Sequence, residues 1–314
     1  MGNLWILPAA GVCLTAAILY LVWPRALEVR AAQLRARGAD RRAARFLTWA
    51  LRWRIGRHGE AALQTARTKS ELARVRIQQR SLVEAATLLE ESAAAVTAFA
   101  GKPSGVLVSA MISLGQGALE IGWHAEAARI CGQALPIARR LLRGNDPQVA
   151  TLEALIGDVY AGLGELENAY AHYEKALERF RTVSGEDSTE CAEVLTAMAA
   201  AMLREQRWAE ARETGIKAVE ILDHTGGAAL PRALGVLAVL HAERGNLAEA
   251  ESLRVSLCQL WERLGGPDSA SLAAEYERRA DLLARMQRDT EASYLQRKAA
   301  RIRGSLAVTL GAQA

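Results

Sequence analysis

The chain has 314 residues, of which 51% are hydrophobic and 24% charged, and this composition supports a large core and excludes an intrinsically disordered protein. The net charge of +4 is unevenly distributed, because residues 1–80 hold 15 Lys and Arg against 4 acids while the remainder holds 24 against 31. Only 7 residues are Pro, strong helix formers dominate, and no run of alternating β-branched residues occurs. We therefore expect an all-α fold.

The first predicted element is an N-terminal transmembrane anchor over residues 1–24. Residues 4–23 carry no charged side chain, and twenty helical positions reach about 30 Å, the thickness of a bilayer's hydrocarbon core. A cleaved signal peptide is the main alternative, but the segment lacks both a basic n-region and an A-x-A cleavage site. Aromatic residues stand at both expected interfaces, namely Trp5, Tyr20 and Trp23.

The flanks of this segment set its expected orientation. No Lys or Arg precedes Leu4, whereas a cluster of arginines follows the segment, and such basic flanks normally stay cytoplasmic. We therefore expect the rest of the chain to face the cytoplasm, at a bacterial inner membrane. A second interpretation places the same arginines against anionic headgroups. Gly11 and Thr15 form a small-xxx-small pair, which leaves open a homodimer through the anchor. The arginines are Arg25, Arg30, Arg35, Arg37, Arg41, Arg42 and Arg45.

The strongest pattern in the sequence is a period of about 42 residues. Seven anchor positions follow one another at spacings of 42, 42, 42, 42, 39 and 42, with Ala or Gly seven residues before each and Ala five residues after each. Such a period indicates a repeat protein. The anchors are Gly38, Arg80, Gly122, Gly164, Gln206, Gly245 and Gln287, and the alanines after them are Ala43, Ala85, Ala127, Ala169, Ala211, Ala250 and Ala292.

Each repeat is predicted to form helix A, a tight turn at the anchor, and helix B. Small residues let the axes of paired helices approach closely, and glycine at the anchor supplies the positive φ of a helix C-cap. Short acids stand just before predicted helices, at Asp146, Asp187 and Asp268. We expect these acids to cap the free N–H groups of the helices rather than to bind calcium.

The order of small residue, anchor glycine and alanines resembles the tetratricopeptide repeat (TPR). The run IGDVYAGLGELENA at residues 156–169, with Tyr173 and Ala176, is the best match, and the period of 42 is similar to that of kinesin-light-chain repeats. The resemblance covers about residues 25–304 and leaves 305–314 as a tail. It implies a right-handed α-solenoid of about seven helical hairpins, and the transmembrane helix predicted above precedes this solenoid.

The sequence contains no motif for a phosphate loop, a zinc protease, a nucleophile elbow or a dinucleotide site. The four cysteines include no CxxC pair, and no pair of histidines has metal-ligand spacing. We therefore predict no catalytic, metal or cofactor residues. Phe46, Trp49, Ala50 and Trp53 recur at helical spacing, which favours an apolar core stripe over a nucleic-acid surface in spite of the arginines between them.

The resemblance also implies a concave groove that binds a protein or peptide partner, with its side chains at fixed offsets before each anchor. The groove is basic only near the membrane, at Arg67 and Arg74, and from the third repeat onward it holds six acids and three arginines. An extended ligand would therefore place an acidic end against Arg67 and Arg74. The offsets give Arg67, Ser70, Arg74, Ser109, Gln116, Glu120, Thr151, Asp158, Glu193, Thr196, Arg204, Arg232, Glu243, Glu277, Asp281 and Arg285.

The function predicted from these features is that of a membrane-anchored scaffold or adaptor that binds another protein. A regulatory or sensor module that binds a peptide or a small signal ligand is the alternative, and an enzyme is a distant third. We expect no nucleic-acid partner.

Overall fold

A computed structural model describes residues 23–35, 37–79, 81–99, 103–142, 146–227, 229–267 and 269–311. Every regular element within these ranges is an α-helix, which confirms the all-α prediction. The helices are α1 (23–35), α2 (Asp40–His58), α3 (Leu63–Gln78), α4 (Leu82–Phe99), α5 (Gly105–Glu120), α6 (His124–Leu141), α7 (Pro147–Leu163), α8 (Leu166–Ser184), α9 (Thr189–Arg204), α10 (Trp208–Thr225), α11 (Leu230–Glu243), α12 (Leu247–Gly265), α13 (Ala270–Arg285) and α14 (Asp289–Gly311).

Consecutive helices in the described ranges pair into seven hairpins, from α1 with α2 to α13 with α14. The backbone has positive φ at the predicted anchors Gly38, Gly122, Gly164 and Gly245. Two anchors that are not glycine, Gln206 and Gln287, also have positive φ. The turn geometry is therefore kept even where the side chain disfavours it. The anchor Arg80 lies outside the described residues. The right-handed sense of the solenoid stays a prediction.

The helices of each hairpin approach each other at the predicted small residues. The alanines five residues after the anchors are 0% exposed, except Ala292 at 4%. A Cβ atom added at Gly157 would lie 2.5 Å from the ring of Tyr173, and one at Gly115 would lie 2.9 Å from the Sγ of Cys131. These distances leave no room for a larger side chain, which confirms the packing role predicted for these positions.

The helix N-caps differ in part from the sequence prediction. Asp146 caps α7 as expected, since its Oδ1 accepts a hydrogen bond from the N–H of Gln148 at 2.9 Å. Asp187 does not cap α9, because it lies one residue too early and the hydroxyl of Ser188 accepts from Cys191 N–H instead. Asp268 lies outside the described residues, and Ser269 caps α13.

The predicted apolar stripe of α2 is only partly a core stripe. Ala50 is buried, and Phe46 and Trp53 are half-buried. Trp49, however, is 55% exposed, so its placement in the core was wrong. Helical spacing placed Trp49 near the core face, but it could not show that none of the described helices covers this side of α2.

The predicted membrane anchor, residues 4–23, lies outside the described residues except for its last position. Within the part of the chain that the structure describes, no helix combines the length and the apolar character needed to cross a bilayer.

The first and last hairpins of the solenoid are in contact. A Cβ atom added at Gly38 would lie 3.0 Å from the Trp261 ring, and one at Gly265 would lie 2.8 Å from the carbonyl oxygens of Arg37 and Gly38. The guanidinium Nη2 of Arg41 also donates a hydrogen bond to the Ser305 hydroxyl at 3.2 Å. This closure contact joins the turn of the first hairpin to α12 and α14.

A buried acid lies directly beside the closure contact. Asp40, the first residue of α2, is 3% exposed, and neither of its carboxylate oxygens accepts a hydrogen bond from another described residue. Burial raises the pKa of Asp40 to about 6, although the nearby guanidinium of Arg35 acts in the opposite direction. The ionised form of this acid is therefore penalised in the folded state.

We predict that Gly157→Ala destabilises the fold, because its new methyl group overlaps the buried ring of Tyr173. The expected loss in the free energy of unfolding is about 1–3 kcal/mol, measured by urea denaturation. Gly132→Ala is the matched control: it also lies within a helix but faces open space, so it should gain roughly 0.5–1 kcal/mol. An equal effect of the two substitutions would contradict the packing role of Gly157.

We also predict that Asp40→Asn stabilises the protein above neutral pH. Because the folded pKa is raised to about 6, wild-type stability should fall as the pH rises from the usual pKa of Asp through about 6, by a total of about 3 kcal/mol. The variant cannot ionise, so it should gain this amount near pH 8 and almost nothing near pH 4. Asp289→Asn, at the first residue of the exposed start of α14, should not show this pH dependence in urea unfolding.

Candidate functional site

The inner side of the solenoid contains a cavity of about 300 Å³ between the A helices of successive hairpins. Helices α5, α7, α9 and α11 contribute most of its wall, and Arg74 of α3 and Tyr173 of α8 complete it. The structure brings seven predicted groove residues together around this first cavity: Arg74, Gln116, Glu120, Thr151, Asp158, Glu193 and Arg232.

A second cavity of about 340 Å³ adjoins the first. The two cavities share Asp158, Tyr173 and Arg232, and the second extends along the solenoid to Arg204 and His124. The inner surface from the third to the sixth hairpin therefore forms one elongated recess of polar side chains over an apolar floor.

A charge cluster around Arg74 and Arg35 joins three hairpins at one end of the first cavity. Its Nε donates to Glu120 at 2.7 Å, its Nη1 donates to Gln116 at 2.6 Å, and its Nη1 lies 3.5 Å from a carboxylate oxygen of Glu71. Arg35 of the first hairpin approaches the same two acids, at 3.7 Å from Glu120 and 3.9 Å from Glu71. Burial alone would raise the pKa of Glu71, but the two guanidinium groups outweigh it and hold that pKa below its usual value.

The opposite wall of the cavity is acidic. The hydroxyl of Tyr173 donates to Asp158 at 2.8 Å. Burial raises the pKa of Asp158, while Arg232 and the Tyr173 hydroxyl lower it. Partial desolvation likewise raises the pKa of Glu193, which keeps contact with solvent, and the guanidinium of Arg232 donates to the Glu193 carbonyl at 3.0 Å.

The charges that remain for a ligand are mainly negative. Since Glu71, Glu120 and Gln116 already satisfy Arg74, an acidic ligand end would find little free positive charge there. The predicted contact of such an end with Arg74 is therefore not supported by the geometry. The rest of the charged lining of the first cavity consists of Asp158, Glu190, Glu193 and Arg232.

Two predicted groove residues are buried and do not present their hydroxyl groups to a partner. Ser70 is 0% exposed, and its hydroxyl donates to the Ala66 carbonyl. Thr196 borders the second cavity but is 1% exposed, and its hydroxyl donates to the Ala192 carbonyl. The family offsets placed both on the concave side, but the neighbouring helices cover them.

Several other predicted groove residues link one hairpin to the next. Arg204 donates to the carbonyl of Ala161, and Arg285 donates to that of Ala242 at 2.9 Å and lies 3.5 Å from Glu243. These arginines occupy the same position in their repeats and satisfy a C-terminal carbonyl of the preceding A helix.

The remaining predicted residues lie outside both cavities. Ser109 donates to Gln148 of the next A helix at 3.0 Å, and Glu277 pairs with Arg303 at 3.2 Å. Asp281 is exposed, and Arg67 is half-buried.

Sequence reasoning missed four members of the site: Arg35, Glu71, Tyr173 and Glu190. Arg35 was within reach, because applying the groove offsets to the first repeat would have selected it. The others lie at positions that the offsets do not include.

One histidine and carboxylate couple is present, but it borders neither cavity. Glu153 is fully buried and accepts from Arg139 at 2.7 Å, and its second oxygen lies 2.8 Å from Nδ1 of His172, whose ring stacks on Tyr160. These contacts join α7 to α6 and α8, which indicates a structural role.

Residues 148–224 match the family model described as tetratricopeptide repeat. The match spans α7 to α10, the hairpins in which the sequence resemblance is also strongest. A search of curated protein sequences returns no match.

Three solved structures share the fold at low sequence identity. BtubC (BKLC) from P. vanneervenii is 19% identical, with a TM-score of 0.53 over 75% of this chain and 92% of that one. A Rap protein complexed with Competence and Sporulation Factor is 14% identical, with a TM-score of 0.60 over 90% and 74%. The nearly identical TPR-like repeats of a Podosopora anserina putative kinesin light chain are 17% identical, with a TM-score of 0.50 over 63% and 95%. The TPR-like solenoid is thus confirmed.

Proposed function

We propose that this chain is a non-catalytic scaffold or adaptor that binds a segment of a partner protein along the inner side of its solenoid. The observation that carries the proposal is the recess formed by the two cavities, in which predicted groove residues from five hairpins converge. A TPR-type fold is suited to such binding, because stacked hairpins create an extended concave surface.

The shape and charge of the recess define the kind of segment that fits it. The two cavities have room for only a few side chains of a ligand, and the closure contact restricts access from the side. An extended peptide therefore fits better than a folded domain. In the first cavity, Asp158, Glu190 and Glu193 stand against Arg232 once Arg74 is satisfied, while Arg204 lies farther along, in the second cavity. We therefore propose that the bound segment carries Lys or Arg side chains.

A sensor function is the second candidate. The two cavities, at about 300 and 340 Å³, fall within the size range of sites for small ligands and short peptides. A fold-related Rap protein is known in complex with Competence and Sporulation Factor. In this alternative the ligand would be a signal rather than a part of an assembly.

We also propose that residues 4–23 anchor the solenoid in a membrane, with the hairpins on the cytoplasmic side. The support is the uncharged run of twenty residues and the arginines that follow it. A tether would confine the partner to the membrane surface and raise its effective concentration.

The peptide site is tested with a random peptide library and the purified chain. We expect enrichment of Lys and Arg, and a loss of affinity of about 100-fold or more for the double variant Glu190→Gln with Glu193→Gln, since each lost charge-assisted hydrogen bond is worth about 1.5–3 kcal/mol. The control is Glu174→Gln with Glu178→Gln on the exposed side of α8. An equal loss in the control, or no basic enrichment, would contradict the proposed site.

Photo-crosslinking distinguishes a scaffold from a sensor. A benzophenone amino acid at Thr151, which lines the first cavity, should give a protein adduct in native membranes if the chain is a scaffold. The same group at Lys175, on the exposed side of α8, should give none. A co-purifying small molecule without a protein adduct at Thr151 would favour the sensor.

The anchor is tested by cell fractionation and protease protection. The full chain should stay in the membrane pellet after alkaline carbonate treatment, and Leu14→Arg should release it, because a central arginine costs about 2.5–3.5 kcal/mol of insertion. Ala32→Arg, at an exposed position of α1, is the control and should stay membrane-bound. Cleavage of the hairpins only from the outer side would show that the orientation is reversed.

A further inference from the structure

One side of α2 has no role in the packing or in the candidate site. Its residues are spaced by 3, 4 and 3 positions, so they project from one side of the helix. All four are exposed, while the opposite side of α2 packs in the core through Ala43, Leu47 and Ala50. This α2 outer face consists of Arg42, Arg45, Trp49 and Arg52.

Trp49 is held in position at the centre of the α2 outer face. Its ring contacts the ring of half-buried Phe46 edge-on, with 5.7 Å between centroids, yet 55% of the residue remains exposed. A tryptophan exposed singly is ordinary on a protein surface, so the composition around Trp49, rather than its exposure, is the informative feature. Tryptophan flanked by arginine is the composition preferred at the boundary between a bilayer and water.

The arginines of the α2 outer face are not engaged elsewhere in the described structure. None of the three forms a hydrogen bond or an ion pair with a described residue, whereas Arg54 on another side of α2 pairs with Glu28 at 2.8 Å. The only acid of α2 is the buried Asp40. The face therefore presents three positive charges without compensation.

The exposed sides of α8 and α10 do not share this charge pattern. The exposed side of α8 carries Glu174 beside Lys175, and that of α10 carries Glu213 and Lys217. Mixed charges of this kind are ordinary for a solvated helix face. The positive charges of the α2 outer face therefore set it apart from the outer sides of these two B helices.

The position of the face along the chain points to its occupant. The described part of α1 begins at residue 23, which is also the last residue of the uncharged run 4–23. The ion pair of Glu28 with Arg54 holds the first turns of α1 against the C-terminal part of α2. The proposed anchor and the α2 outer face therefore belong to the same hairpin, and Trp23 at their junction is also 55% exposed.

We infer that the α2 outer face docks on anionic lipid headgroups, with Trp49 at the interface and the three arginines on the phosphates. This inference rests on the proposed anchor, which brings the face to the membrane, and goes beyond it. The docked hairpin fixes the orientation of the solenoid, so the inner recess faces one direction relative to the bilayer rather than rotating about a tether.

The test uses the full chain in nanodiscs that contain lipids with brominated acyl chains, which quench nearby tryptophan. Subtracting the signal of Trp49→Phe isolates Trp49. We expect quenching with about 30% anionic lipid and its loss in neutral lipid or in about 0.5 M NaCl. The triple variant Arg42→Gln, Arg45→Gln and Arg52→Gln should lower the docking equilibrium about fivefold per arginine, or on the order of 100-fold.

The matched control removes three exposed arginines elsewhere, in Arg212→Gln, Arg244→Gln and Arg301→Gln, and should keep the quenching. If the chain does not co-elute with any nanodisc, the anchor fails, and vesicles of the same anionic lipid added to the free chain then test the face separately. A chain that co-elutes but shows no quenching of Trp49 overturns the inference. Equal quenching in anionic and neutral lipid would also overturn it. The same holds if Trp49 stays unquenched and a labelled DNA duplex binds in a way that requires the three arginines.

Discussion

The close approach of paired helices at small residues is the constraint on which this structure depends. Alanines that are fully buried at equivalent places in successive hairpins let the backbones come together, and Gly157 accommodates the ring of Tyr173 where any side chain would clash. Because each hairpin buries its apolar side only against its neighbours, the whole array follows from repeating this contact. The turns conform to the same demand, since Gln206 and Gln287 accept a positive φ to keep the hairpin closed.

Those features are periodic, and so the sequence alone predicts them. The anchors, the small positions and the pairing of helices recur in every repeat, and each recurrence supports the others. What escaped prediction occurs once. The contact of Gly38 with Trp261 joins residues far apart in the chain, and no periodicity reports it. The exposure of Trp49 depends on which of the described helices lie beside α2, and the cap of α9 is Ser188, one residue after the expected Asp187.

The candidate site shows the same division. Offsets from the anchors identified the side from which the groove residues project, and residues of five hairpins do converge there. The offsets cannot show which charged side chains are already paired with other groups of the protein. Arg74, Arg204 and Arg285 hold neighbouring hairpins together, so the groove is less basic than its composition indicates. The acidic excess was visible in the composition, but which acids stay unpaired in the recess depends on the pairing, which requires coordinates.

The contact between the first and last hairpins should increase the cooperativity of unfolding. A linear array of repeats frays from its ends, because a terminal unit has one neighbour and loses only one interface. Here Gly38 and Arg41 meet the last hairpins at Trp261 and Ser305, so every hairpin has a neighbour on both sides, as in a ring. The ring has no free end at which melting can start, and the chain should lose its structure more cooperatively than an open solenoid of the same length. During synthesis the ring is complete only when α14 has emerged from the ribosome.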